Sequence, residues 1–209
     1  MALSGKVAAF YKQTGSPKTL TQEVLERIDS REYRIADRSK AYWNKDYPVT
    51  VERSTDGGET WVIVTAGFEV QHVGGYVVFA QDQDEGTQFR VSGQYYELAQ
   101  VGGAFSWTVE TSLDTVDTPT FESEGWNEVT PTIKSFTGSA EAYWINGGHI
   151  DELGEELIIV FFVNAKDPKK PRYEGYGLLT SVSTEAPVDD VIQEPLEFTG
   201  TSRLFYREG

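Results

Sequence analysis

At 209 residues the chain is long enough for one large all-β domain, or for a domain with a substantial insertion, with a core of its own, so it is not a scaffold that needs staples. Its 33 acidic and 18 basic side chains leave a formal charge of −15, which repels phosphate and argues against a protein that grips nucleic acid. Without cysteine it has no disulfide framework, no thiolate nucleophile and no thiolate metal site.

The opening "MALSGKVAAF" lacks the basic start and long apolar run of a signal peptide, so the expectation is a soluble protein made in the cytosol and not exported by the ordinary route. Residues 19–30, "TLTQEVLERIDS", set Leu20, Val24 and Ile28 on one stripe behind a threonine suited to capping, and predict a helix. Strand patterns then dominate. "YPVTV" and "WVIV" flank Asp56-Gly57-Gly58, and "FEVQHV" and "YVVFA" flank Gly74-Gly75, so two consecutive hairpins are expected with glycine supplying positive φ. "FRVSGQY" puts Phe89, Val91, Gly93 and Tyr95 on one side of a strand, and "FSWTVET" does the same with Phe105, Trp107 and Val109.

Ser112 to Thr132 shows no sustained period and reads as a long loop, uncommon in a compact domain unless it has a task. Two later phrases nearly repeat each other, "FTGSAEAYW" at 136–144 and "FTGTSRLFY" at 198–206. Both alternate. One face carries Phe136, Gly138, Ala140, Ala142 and Trp144, matched by Phe198, Gly200, Ser202, Leu204 and Tyr206; the other carries Thr137, Ser139 and Glu141, matched by Thr199, Thr201 and Arg203. The polar set is the candidate lumen or inter-subunit face, with Glu141 and Arg203 a pair to look for. "HIDELGEEL" at 149–157 suits a single helical turn weakened by Gly154. "LIIVFFV" at 157–163, too short to span a bilayer, reads as a strand buried on both faces.

Catalytic chemistry is not written here. His72 and His149 stand apart from any nucleophile pattern, so the chain is not expected to be an enzyme, and no cofactor is expected. "DQDEG" at 82–86 alternates Asp82 and Asp84 as a calcium loop begins, but lacks the later bidentate acid and reads as an acidic turn. "KDPKKPR" is the only basic cluster; Lys166, Lys169, Lys170 and Arg172 form a candidate contact loop for the acidic surface of another copy. Of five tryptophans, Trp107 and Trp144 fall in core-facing register. Trp43, Trp61 and Trp126 remain as sugar-stacking candidates, which keeps a carbohydrate-binding β-sandwich as an alternative function.

Three stretches in order resemble the major tail tube proteins of long-tailed, non-contractile bacteriophages. The first is "YRIADRSKAYWNKDYPVTVERS" at 33–54, with Tyr33, Ile35, Asp37, Lys40, Trp43, Pro48, Val49 and Val51 in the family's early pattern. The second is residues 108–144, with threonine and acid around Phe121, then Gly125-Trp126, then Lys134, Phe136, Gly138 and Ser139 opening a strand. The third is residues 175–205, where a strand, the turn Pro187-Val188-Asp189-Asp190 and a strand with Phe198 and Gly200 follow one another. Ser202 departs from a glycine expected in the closing strand, and residues 55–105 match least well.

The resemblance implies an all-β fold, an antiparallel β-sandwich or barrel with one or two short flanking helices. It implies one tail-tube domain over 1–209, with about 55–105 a hairpin embellishment. It further implies a structural virion protein of the phage tail, made in the host bacterial cytoplasm, whose copies close six-membered rings that stack into a tube for DNA ejection. The implied partners are other copies of the chain, a tape-measure protein and tail-tip and terminator proteins, with DNA passing unbound and no membrane. In the long loop, Asp114, Asp117, Glu122, Glu124 and Trp126 are the candidate inter-subunit residues. A tube protein of a contractile or secretion machine is a further alternative.

Overall fold

The computed structural model describes residues 8–118, 128–145, 147–167 and 170–208. Among them the regular structure is antiparallel β-sheet, and helix is confined to short 3-10 turns such as Arg38–Lys40 and Gly148–Glu152. The second of these is the single turn expected near 149–157, ending before Gly154 at φ 86°. The chain divides into two compact units, Met1–Lys12 with Gln100–Gly209, and Gln13–Ala99.

In the smaller unit, β1 (Ala9–Arg27) contributes its C-terminal part, where Leu25 pairs with Ile35 and Arg27 with Tyr33 of β2 (Glu32–Ile35). The helix expected at 19–30 is therefore strand as far as Arg27. Isolated helices of this length are marginal in water, so tertiary pairing decides the outcome. Leu20 and Leu25 are buried whereas Val24 and Ile28 are exposed, which is not the helical stripe. The two leucines are five positions apart, an odd step that a period-two strand places on opposite faces; Gln22, at φ 50°, breaks the alternation between them.

Both expected hairpins are present. β3 (Thr50–Ser54) and β4 (Val62–Val64) join through Gly57 and Gly58, and β5 (Phe68–Gln71) and β6 (Tyr76–Phe79) through Gly74 and Gly75, all four glycines at positive φ. β7 (Gln88–Gln100) pairs with β3 and buries Phe89, Val91 and Gly93. Tyr33, Phe79 and Phe89 form the aromatic centre, with ring separations of 4.4 to 5.7 Å.

In the larger unit the order runs from the start of β1 to β10 (Glu156–Phe162), β11 (Arg172–Val182), β12 (Gln193–Gly200), β9 (Val129–Tyr143) and β8 (Ala104–Asp117), with β13 (Phe205–Arg207) also on β11. β10 is buried from Leu157 through Phe161, as its apolar run predicts. Phe161 packs on Trp107 of β8 at 5.3 Å and against Gly138 of β9, strands four and three places away in that order. The sheet thus curls around its core in the manner of a barrel. Phe10 stacks on Phe161 at 4.9 Å, and Phe136, Leu179, Leu196 and Phe198 fill the rest.

The two similar phrases are neighbours in this sheet. Thr137 pairs with Thr199 and Gly138 with Phe198. The ladder stops at Gly200, however, so the second phrase is not one strand: residues 201–204 turn away before β13 begins. Trp144 and Tyr206, expected inward, are exposed, because β9 ends at Tyr143 and Tyr206 lies on the short closing strand.

Candidate assembly interface

Alternation along β9 turns Phe136, Gly138, Ala140 and Ala142 into the core and leaves Thr137 and Glu141 exposed, with Ser139 half-buried. Register extends this outer face across three strands. Glu110, Thr137 and Thr199 form one cross-strand row; Thr108, Ser139 and Glu197 form the next; Ser106, Glu141 and Pro195 the third. Apart from Pro195 the face is made of hydroxyls and glutamates and carries no cation in these rows, so it repels anions. Threonines directly opposed on adjacent strands also suit the ladder itself. Thr201 and Arg203 do not join it. The Thr201 hydroxyl donates to Glu156, and Arg203 lies over the Phe205 ring at 5.0 Å beyond the end of β12. Glu141 faces Pro195 at the opposite end of β12, so Glu141 and Arg203 do not pair within one chain.

The stretch read as a loop from Ser112 is, in its described residues, a two-stranded arm. β8 and β9 stay paired from Thr111 and Phe136 out to Asp117 and Val129, roughly 20 Å at the usual rise per residue. From Ser112 to Asp117 and from Val129 to Ser135 every residue is exposed. Neither face is covered, which removes the apolar alternation that would have revealed the strands, while threonine and valine still favour extended backbone. Hydroxyls staple the arm: Ser112 Oγ meets Ser135 Oγ at 2.8 Å, and Thr132 Oγ1 donates to the Asp114 carbonyl at 3.0 Å. Leu113, Val116, Val129 and Ile133 stand in solvent, Ile133 with 67 % of its surface accessible. Asp114 sits at a register shift and Asp117 at the far end of the pairing, whereas Glu122, Glu124 and Trp126 lie outside the described residues.

Of the basic cluster, Lys166 and Lys170 belong to the turns after β10, where the Lys170 N–H donates to the Asp167 carbonyl at 2.9 Å; Lys169 is outside the described residues. Arg172 belongs instead to β11 and is 5 % exposed. Its Nε donates to Glu174 Oε2 at 2.8 Å, while Arg207 Nε donates to Glu174 Oε1 at 3.2 Å. Register puts Arg172 opposite Arg207, so one fully buried carboxylate joins both guanidiniums and fastens β13 to β11. The sequence signal was an Arg and a Glu two apart, and so on one face of a strand.

No family model matches the chain. No curated protein matches it. Among solved structures, a chain in the tail of an empty gene transfer agent particle with C6 symmetry is 15 % identical, with a TM-score of 0.45 over 53 % of this chain and 87 % of that one. A chain in the virion of a native gene transfer agent particle is also 15 % identical, with a TM-score of 0.43 over 53 % of this chain and 88 % of that one. At such scores neither likeness decides what this chain does.

Of the sugar-stacking candidates Trp126 lies outside the described residues, and the other two are already engaged within the chain. Trp43 is fully buried, its indole N–H donating to the Lys40 carbonyl at 2.9 Å. One face of Trp61 is taken by the Arg90 guanidinium at 4.2 Å, which Glu52 holds through bonds of 2.8 and 3.0 Å. His72 is half-buried and its pKa is pushed down by desolvation, then by Lys45. His149 Nδ1 lies 3.4 Å from Glu152 and its Nε2 4.0 Å from Glu194. Among the described residues no group of three or more His, Asp or Glu is placed to hold a metal, and no helix is long and apolar enough to cross a membrane. Asp82 accepts from the Ser30 hydroxyl at 2.8 Å as part of a turn.

Proposed function

We propose that the chain is a structural virion protein, the subunit of a phage tail tube, whose copies close hexameric rings that stack into a conduit for DNA. The observation that carries this reading is the β8–β9 arm, a paired hairpin with isoleucine, leucine and valine exposed and with none of its described residues beyond Thr111 and Phe136 buried. Such a structure is unfavourable in isolation and gains its burial from a neighbour. The three ordered stretches that resemble tail tube proteins point to the same kind of neighbour, another copy.

In this account the arm, with Asp114 and Asp117, reaches the adjacent subunit or ring, and Lys166 and Lys170 meet its acidic surface. The hydroxyl and glutamate face around Thr137, Ser139, Glu141 and Thr199 lines the lumen. A ring of six would carry 6 × −15 = −90, and a wall of that sign lets DNA slide instead of sticking. Negative-stain microscopy of the purified protein is expected to show rings or tubes with a central pore; particles that stay monomeric at every concentration would overturn the reading.

A further inference from the structure

Two surfaces of the larger unit complement each other yet lie too far apart to meet in one chain. The first is a groove of about 860 Å³ at the base of the arm. Lys134 and Arg203 line it, Leu113 and Leu204 contribute apolar surface, and Ser112 and Ser135 supply hydroxyls. Among the described residues neither cation pairs with a carboxylate, which is notable in a chain with almost twice as many acids as bases. The second surface is the turn between β11 and β12. Glu185 and Gln193 exchange two backbone hydrogen bonds of 2.9 Å, and the Ile192 carbonyl accepts from the Trp144 N–H at 3.0 Å, so the turn is held at its root. It presents Asp189 and Asp190 together with Val188, Val191 and Ile192, and Val188 is 99 % exposed.

Two carboxylates beside three apolar side chains therefore match two cations beside apolar side chains. The eight residues of β12 lie between the surfaces, with the turn before Gln193 and the groove residues after Gly200, a separation of about 25 Å along the strand. We propose that the groove at Lys134 and Arg203 receives the Val188–Ile192 turn of a second copy of this chain, making a head-to-tail contact. Two different patches joined in this way form a heterologous interface, which propagates into rings or filaments instead of stopping at a dimer. The inference rests on the reading of the chain as a self-assembling subunit and adds which surfaces meet. Because the contact is charged, raised salt weakens it.

The test uses the full chain, which has no cysteine of its own. Ser202→Cys and Val188→Cys chains carrying different tags, with all four charges kept, are mixed under assembling conditions and treated with a short bifunctional thiol reagent; cross-linked species carrying both tags are expected above the level seen when the same chains are kept disassembled by high salt. Separately, Lys134→Glu with Arg203→Glu is expected to raise the concentration needed for assembly at least tenfold, as is Asp189→Lys with Asp190→Lys, while the chain carrying all four changes recovers it. All four side chains are exposed, and circular dichroism checks that each variant folds. Tubes that form without cross-linking above that level, or four changes that fail to restore assembly, would overturn the contact and leave the tube reading standing. Loss of assembly on reversing the groove alone, with the turn variant unaffected, would assign the groove to another acidic partner and likewise overturn it. A wild-type chain that never assembles overturns the tube reading and the contact together.

Discussion

The ring of Phe136 lies across the backbone of Gly200, so close that a Cβ added there would stand 2.2 Å from Cε1 and 2.3 Å from Cδ1. The glycine is required by this approach and not by its backbone dihedral. Gly200→Ala is expected to force the ring aside and cost about 1–3 kcal/mol by overpacking, and Phe136→Ala about 3–5 kcal/mol by leaving a cavity. Because the two residues touch, the double variant should lose less than the sum of the singles. Urea denaturation of the four proteins completes the cycle; additive losses would refute the packing described.

Glu174 supplies a second test. Its buried carboxylate holds Arg172 and Arg207, so Glu174→Ala leaves two guanidiniums without it and is expected to cost about 3–5 kcal/mol, chiefly by loosening β13. Faster amide exchange at Phe205–Arg207 than elsewhere in the larger unit would locate the effect. Unchanged stability and exchange would contradict the clamp.

Acid sensitivity should have its roots in the smaller unit. Glu52 is held below the usual carboxylate range by Arg90, Asp56 by the Ser54 and Thr60 hydroxyls, Asp37 by Ser39, and Asp29 by the backbone N–H groups of Arg31 and Glu32. Folded pKa values that are depressed mean the unfolded chain binds protons first. Their stabilisation is complete above the ordinary range near pH 4 and is lost as pH falls through the folded values. His72, also depressed, adds a loss that begins earlier, as pH drops below about 6.5, since its neutral form is the one the fold accepts. Melting temperature against pH should fall in two steps, and His72→Gln should remove the upper one.

The arm separates folding from assembly. Ile133→Glu and Leu113→Glu lie on exposed surface and should change stability by no more than about 0.5 kcal/mol. Assembly, read by sedimentation, should nevertheless be lost. Variants that assemble normally would remove the arm from the interface.

What the sequence made legible followed from local rules. Glycine pairs at 57–58 and 74–75 announced their hairpins because few other residues take positive φ, and the apolar run into Phe161 announced a strand buried on both faces. Thr137, Ser139, Glu141 and Thr199 were placed by alternation alone. Alternation does not encode where a ladder stops, which is why Thr201 and Arg203 were put on the same face and are not. Nor does it reveal strands with no buried side, such as the arm, or a stripe like Leu20, Val24 and Ile28 that tertiary pairing overrides. The groove at Lys134 and Arg203 joins residues about seventy positions apart, beyond any local pattern.

If copies of this chain build a tube, the purified protein should form one unaided. Negative-stain microscopy of the purified protein across a concentration series tests it most directly. Rings or stacked tubes with an open central pore are expected, lost on Ile133→Glu. Monomeric particles throughout, under every condition that keeps the protein folded, would contradict it.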